Sequence, residues 1–182
     1  MKPVQELVEN LVNPNAQKDK NIQSDCIKVL YEIGERKPAL IGSYTKEFIE
    51  LLESNNNRLV WGAMTALDAV TLEKQKAMYN ALTKIIDVAD RGSVITKDHA
   101  VSILIKLAGI KQYADKAFAL LIEQLKKAPT NQLPMYAENA LPIINDKNRA
   151  LFAKTLSSRL DEVEKASKRR RIEKVVKKLE TR

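Results

Sequence analysis

Three residues with chemically useful side chains fall on one face of a predicted helix. Trp61, Thr65 and Asp68 are separated by four and three positions, so an aromatic ring and a carboxylate stand about two helical turns apart. A DNA glycosylase would use these residue types, although it would want more aromatic residues and a basic groove around them. Two other interpretations stay open: Trp61 packs across a neighbouring helix, or Trp61 and Asp68 belong to a partly exposed contact surface for a partner.

The residue types that most often carry catalysis are sparse. His99 is the only histidine and Cys26 the only cysteine, so neither has a second His or Cys for a metal site or a nucleophilic dyad. We expect His99 to be a surface residue and Cys26 a buried packing thiol. No glycine-rich phosphate loop, HExxH or GxSxG motif occurs. The sequence therefore predicts a protein that is not an enzyme and that holds no metal or cofactor.

The positive charge is concentrated at the end of the chain. The formal net charge is +8, yet residues 165–182 alone contain nine Lys or Arg and two Asp or Glu. Their densest run is Lys168, Arg169, Arg170 and Arg171. Near the start of a capping helix this run would face the positive end of the helix dipole. Three explanations stay open: one long helix from Asp146 onward, an anionic partner such as nucleic acid, a membrane surface or an acidic protein, or a solvated basic face.

The elements that position these residues recur at a fixed interval. Four leucines lie 37 residues apart, each preceded four positions earlier by a small residue and followed three positions later by an aliphatic one. The leucines are Leu30, Leu67, Leu104 and Leu141. This spacing places each triplet on one face of a helix. A second apolar stripe follows each triplet, so the repeating unit is predicted to be a pair of helices. Pro142 lies inside the fourth stripe, where we expect a kinked or shortened helix.

The pattern running from Asp25 to Gly34, DCIKVLYEIG, resembles that of the HEAT-repeat family. The resemblance covers about residues 21–163 and implies an all-α fold, a right-handed alpha-alpha superhelix of four HEAT-like helical pairs. We expect a single domain over 1–182, divided into a cap helix in 1–14, repeats at 21–54, 57–91, 94–128 and 131–163, and a basic helix at 164–182. Known members include transport receptors, complex scaffolds, lyases and glycosylases, so the family pattern specifies architecture rather than activity.

Solenoids bind partners on the concave surface formed by their second helices. The exposed residues predicted for that surface include Tyr79, Lys84 and Lys116, and their neighbours carry both signs of charge. Mixed charge suits a protein partner better than nucleic acid. We therefore predict a non-catalytic protein-binding scaffold, with nucleic-acid binding through residues 165–182 as the alternative. No transmembrane segment is expected, and the predicted location is the cytoplasm.

Overall fold

The computed structural model describes residues 2–12 and 20–181, and within these ranges every regular element is helical. The α-helices are α1 (Lys2–Val12), α2 (Lys20–Arg36), α3 (Thr45–Leu51), α4 (Asn57–Val70), α5 (Gln75–Asn80), α6 (Leu82–Arg91), α7 (Val94–Ala108), α8 (Ala114–Lys127), α9 (Leu133–Ala140), α10 (Arg149–Ser157) and α11 (Ala166–Glu180). Short 3₁₀ turns lie at Pro38–Leu40, Gly42–Tyr44, Leu141–Ile143 and Leu160–Glu162. The predicted all-α class is confirmed. No helix of the described ranges is long and apolar enough to cross a membrane.

The helices form two compact units, residues 1–103 and 104–182, and the boundary along the chain falls within α7. In the first unit α1 packs on α2, and α2 and α3 both pack on α4. Gly62 of α4 lies directly against Ile27 of α2, where any Cβ atom would overlap the isoleucine side chain. Glycine at this position therefore allows the two helices to approach closely.

The predicted N-terminal cap helix forms as α1. Val8 and Leu11 of this helix are buried, and the side-chain amide of Gln23 in α2 donates a hydrogen bond to the Leu11 carbonyl at 3.4 Å. Asn13 and Pro14, whose residue types favour a turn after this helix, lie outside the described residues.

The repeating leucines are buried in three of the four predicted units. Leu30, Leu67 and Leu104 have no solvent exposure, and the small residues before them are buried as well. Leu141 departs from this pattern because α9 ends at Ala140 and Leu141 falls in the 3₁₀ turn with Pro142, where it is only half-buried. The shortening expected at Pro142 is confirmed, and its physical reason is the missing N–H and fixed φ of proline.

In the second unit α8 packs on α9 and α10, and α11 packs on α9 and α10. Of the open explanations for the basic run, one long helix from Asp146 onward is wrong, because α10 ends at Ser157 and extended backbone at Val163 and Lys165 precedes α11. The apolar stripe of α11 is buried at Ile172, Val175 and Leu179. α11 is therefore a separate helix whose apolar stripe packs against α9 and α10.

Candidate functional site

An open groove crosses α2, α4 and the start of α7 in the first unit, with Trp61 half-buried in its wall. Its volume is about 350 Å³. Trp61 and Thr65 point into the groove because the opposite face of α4, with Ala63, Met64 and Leu67, is buried in the core. The periodicity of α4 therefore presents its one large aromatic ring to solvent.

The groove combines apolar surface with charges of both signs. Tyr31, Ile27 and the exposed Ile95 contribute ring and aliphatic surface beside Trp61. Lys28 and Arg58 supply two cations, and Asp25 supplies one carboxylate. Such a surface can bind an apolar side chain, and the charged residues around it carry a net positive charge. Of the predicted alternatives for Trp61, the structure shows a ring that is partly packed and partly exposed.

Asp68 and His99 do not lie in isolation but form a hydrogen-bonded network between α4 and α7. His99 Nδ1 lies 2.9 Å from Asp68 Oδ2, and His99 Nε2 lies 2.9 Å from Thr65 Oγ1. Ser102 Oγ donates to Asp68 Oδ1 at 2.8 Å. His99 was expected to be a surface residue; its side chain is 26% exposed and half-buried, because the packing of α7 on α4 brings together residues that are 31 and 34 positions apart.

The order Asp68, His99, Thr65 is the order of a nucleophilic triad, but its surroundings do not fit one. The Thr65 hydroxyl also lies 3.0 Å from the Trp61 carbonyl oxygen, to which it donates as a helical threonine commonly does. Thr65 sits in the middle of α4, where backbone N–H groups donate to carbonyls one turn earlier. The backbone N–H groups of α4 around Thr65 are therefore not free to stabilise an oxyanion. The network connects two helices.

No group of three or more metal-ligating side chains occurs among the residues that the structure describes. Cys26 is buried in α2, as expected for a packing thiol. A larger cleft of about 490 Å³ borders Gln23, Glu47 and Leu59, and Val12 and Lys20 at its rim adjoin residues 13–19, which lie outside the description. We take the Trp61 groove as the candidate functional site because tryptophan, tyrosine and arginine, the residue types enriched at binding hot spots, lie together there.

The residues predicted for the second-helix surface are found on three helices. Tyr79 is half-buried in α5, and Lys84 of α6 forms an ion pair with Glu53 at 2.8 Å. Lys116 is exposed on α8 in the second unit. Gln124, on the same helix as Lys116, is buried. None of these residues lines the Trp61 groove.

Three of the four residues in the predicted basic run hold α11 in place. Lys168 Nζ donates to the backbone and side-chain oxygens of Asn131, and Arg169 Nε donates to the Val163 carbonyl. Arg171 binds Glu138 of α9 with two nitrogens, its Nε at 2.8 Å from Oε1. These contacts explain why a basic run is placed at the start of α11, against the preference of the helix dipole.

The ion pair between α11 and α9 shifts the ionisation of both partners. The hydrogen bond from Arg171 lowers the pKa of the Glu138 carboxyl below its ordinary value of 4.5. The same hydrogen bond raises the pKa of Arg171. Arg170, between these anchoring residues, is exposed.

Arg159 is a structurally important residue that sequence reasoning did not single out. Its guanidinium is buried and donates to the carbonyl oxygens of Leu125, Lys126 and Ala128 at 2.7 to 3.0 Å. It also pairs with Glu162, whose pKa it lowers by hydrogen bonding. The only signal for this contact in the sequence is the position of Arg159. It lies 34 positions after Leu125, which is close to the 37-residue repeat.

Comparison with known proteins gives a likeness of fold. No family model matches the chain, and no curated protein matches it. An engineered protein whose crystal structure was determined by the Northeast Structural Genomics Consortium is similar, with a TM-score of 0.61 and 14% sequence identity over 100% of both chains. At that identity the likeness shows the fold alone.

Proposed function

We propose that this protein is a non-catalytic helical-repeat scaffold that binds a segment of a protein partner in the Trp61 groove. The observation that carries the proposal is the half-buried Trp61 ring at the wall of an open groove that also contains Tyr31, Arg58 and Lys28. Tryptophan, tyrosine and arginine are the residue types most enriched among binding hot spots. The site offers contact surface rather than a reactive group.

The architecture that we propose for this scaffold is a right-handed alpha-alpha superhelix of four HEAT-like pairs. It is supported by the 37-residue recurrence of buried leucines and by the all-helical fold. A single helical pair cannot cover its own apolar face, so each pair is stabilised by stacking on the next. A fold of this kind holds a surface groove rigid, which lowers the entropic cost of binding.

The groove fits a segment with an apolar side chain flanked by carboxylates. The apolar side chain would contact Trp61 and Ile95, while Lys28 and Arg58 would attract the flanking acidic residues. Asp25 opposes a uniformly acidic ligand, so we expect selectivity for one or two carboxylates beside the anchor. Tyr79, Lys84 and Lys116 remain proposed as a second contact surface on the second helices, and the cytoplasm remains the proposed location.

Peptide selection and fluorescence test this proposal together. A random peptide library is selected against the protein, and the binding of selected peptides is titrated by the emission of Trp61, the only tryptophan in the chain. We expect the peptides to be rich in large apolar residues next to Asp or Glu, and to change the Trp61 emission. Trp61→Ala should weaken binding by about 30-fold or more, measured with labelled peptide, because truncating a hot-spot tryptophan costs about 2 kcal/mol or more.

Leu72→Ala is the matched control, because Leu72 is 54% exposed in the turn after α4 and does not line the groove. It should leave peptide affinity unchanged. Equal affinity of the selected peptides for wild type and Trp61→Ala would reject the groove as the binding site. An activity abolished by Asp68→Asn, with the thermal melt intact, would instead support an enzyme.

A further inference from the structure

We infer that the solvent face of α11 is a binding surface for the phosphate backbone of double-stranded nucleic acid. This inference does not depend on the Trp61 groove, which lies in the other unit of the chain. The sequence predicted nucleic-acid binding through residues 165–182 as a whole. The inference here assigns the contact to a narrower set of side chains on one face of α11. Lys168, Arg169 and Arg171 are engaged in holding α11. Arg170 is the one residue of this run that belongs to the proposed surface.

The outward stripe, defined here as Arg170, Lys174, Lys177 and Lys178, occupies one side of α11. All four residues are exposed, and their spacing of four, three and one positions places them within a quarter to a third of the helix circumference. The buried residues Ile172, Val175 and Leu179 lie on the opposite side. The burial of one face thus fixes the direction in which the basic face points.

The charge of this stripe is only partly balanced. α11 contains seven basic and two acidic residues, and the two acidic residues, Glu173 and Glu180, lie along one edge of the stripe. The charge of Lys174 is partly balanced by Glu138, because electrostatic attraction to Lys174 contributes to the lowered pKa of that carboxyl. Within the described chain, no recorded ion pair involves Arg170, Lys177 or Lys178. A local field of this kind attracts a polyanion.

The chemistry of the helix favours duplex nucleic acid over a membrane or single strands. A membrane-binding amphipathic helix inserts its apolar face, but the apolar face of α11 is buried in the protein core. Single-stranded nucleic acid is commonly bound by stacking its bases on aromatic rings, and residues 164–182 contain none. The stripe spans about 12 Å along the helix axis, enough to contact several phosphates of a duplex. The expected binding is independent of base sequence.

The experiment is fluorescence anisotropy with a labelled mixed-sequence duplex of about 25 base pairs, titrated with the whole protein at about 50 and 200 mM salt. With three to four phosphates contacted, we expect the affinity to fall by about 100-fold between the two salt concentrations. The variant R170Q/K174Q/K177Q/K178Q should lose at least about 10-fold in affinity at low salt and most of the salt dependence.

The control variant K37Q/K76Q/K111Q/K147Q removes the same number of charges from exposed lysines outside α11. It should keep most of the duplex affinity, and Trp61→Ala should keep all of it. An equal loss in the two charge variants would overturn the inference, because net charge alone would then explain binding.

Parallel titrations use vesicles of phosphatidylserine and phosphatidylcholine, and poly-glutamate as an acidic polypeptide. Binding to either probe through the stripe without binding to the duplex would overturn the assignment of nucleic acid as the partner. Absence of binding to all three probes would overturn the surface itself.

Discussion

At the scale of single residues, Arg159 shows how one side chain can complete the end of a helix. The last carbonyl groups of a helix have no partner within the helix, and α8 ends at Lys127. Arg159 supplies donors to three carbonyl oxygens there, in a buried position. The positive guanidinium also faces the negative end of the helix dipole. Its removal would leave several carbonyls without these partners.

We expect Arg159→Met to lower the free energy of unfolding by about 2 to 4 kcal/mol, because buried carbonyls that lose charged donors carry a desolvation cost. Urea unfolding followed by far-ultraviolet circular dichroism measures this change. Arg159→Lys should recover only part of the loss, since one ammonium group cannot reproduce the planar fork of donors. Glu162→Gln should cost less than Arg159→Met, and a larger cost would show that the ion pair, not the helix end, is the main contribution.

The residue scale also explains the position of His99. Asp68 was predicted to contact a partner, but one of its oxygens lies against His99 and the other accepts a hydrogen bond from Ser102. Trp61, on the same helix face, is the residue that borders open space. Two residues with the same predicted role therefore have different surroundings.

At the scale of elements, the docking of α11 on α9 depends on pH through Glu138. Arg171 lowers the pKa of Glu138, so the ionised form of this carboxyl is more stable in the folded state than in the unfolded chain. The ion pair therefore stabilises the fold at and above the ordinary carboxyl pKa of 4.5. This stabilisation is lost as the pH falls through the lowered pKa of the folded state.

We expect Arg171→Gln to be less stable than wild type by about 0.5 to 1 kcal/mol at neutral pH, a small value because both partners are partly exposed. The difference should shrink toward zero as the pH is lowered below the carboxyl range. Thermal melts of both proteins between about pH 7 and pH 3 measure it. A difference that stays constant over this range would mean that Arg171 stabilises α11 by packing and not by its charge.

At the scale of the whole molecule, α11 has two faces with separate roles. Its buried face covers α9 and α10 of the second unit, and its exposed face carries the basic stripe. Removing the helix would therefore change both the core and the charge. Charge substitutions separate the two effects, and deletion does not.

We expect a chain ending at Glu164 to lose much of the stability of the second unit. Burial of Ile172, Val175 and Leu179 contributes about 1.5 to 3 kcal/mol for each side chain, which together is comparable with the whole stability of a small domain. Circular dichroism melts and light scattering should show a lower melting temperature and self-association through the uncovered face. A truncated chain that stays monomeric with an unchanged melt would show that α11 is not part of the core.

The sequence by itself determined the helical class, the N-terminal helix, the shortening at Pro142 and the burial of Leu30, Leu67 and Leu104. These features follow from local periodicity and from the backbone geometry of proline, which are present in the chain before it folds. Helical spacing in the sequence also marks the apolar stripe of α11 at Ile172, Val175 and Leu179.

Only the tertiary structure decided which side chains meet. His99 reaches Asp68 across 31 positions, Arg159 reaches Leu125 across 34, and Arg171 reaches Glu138 across 33. Helical periodicity states which face of a helix is buried but not which residue of a neighbouring helix lies opposite. That pairing depends on the angle and register at which helices pack, because hydrogen bonds and ion pairs require separations of about 3 Å.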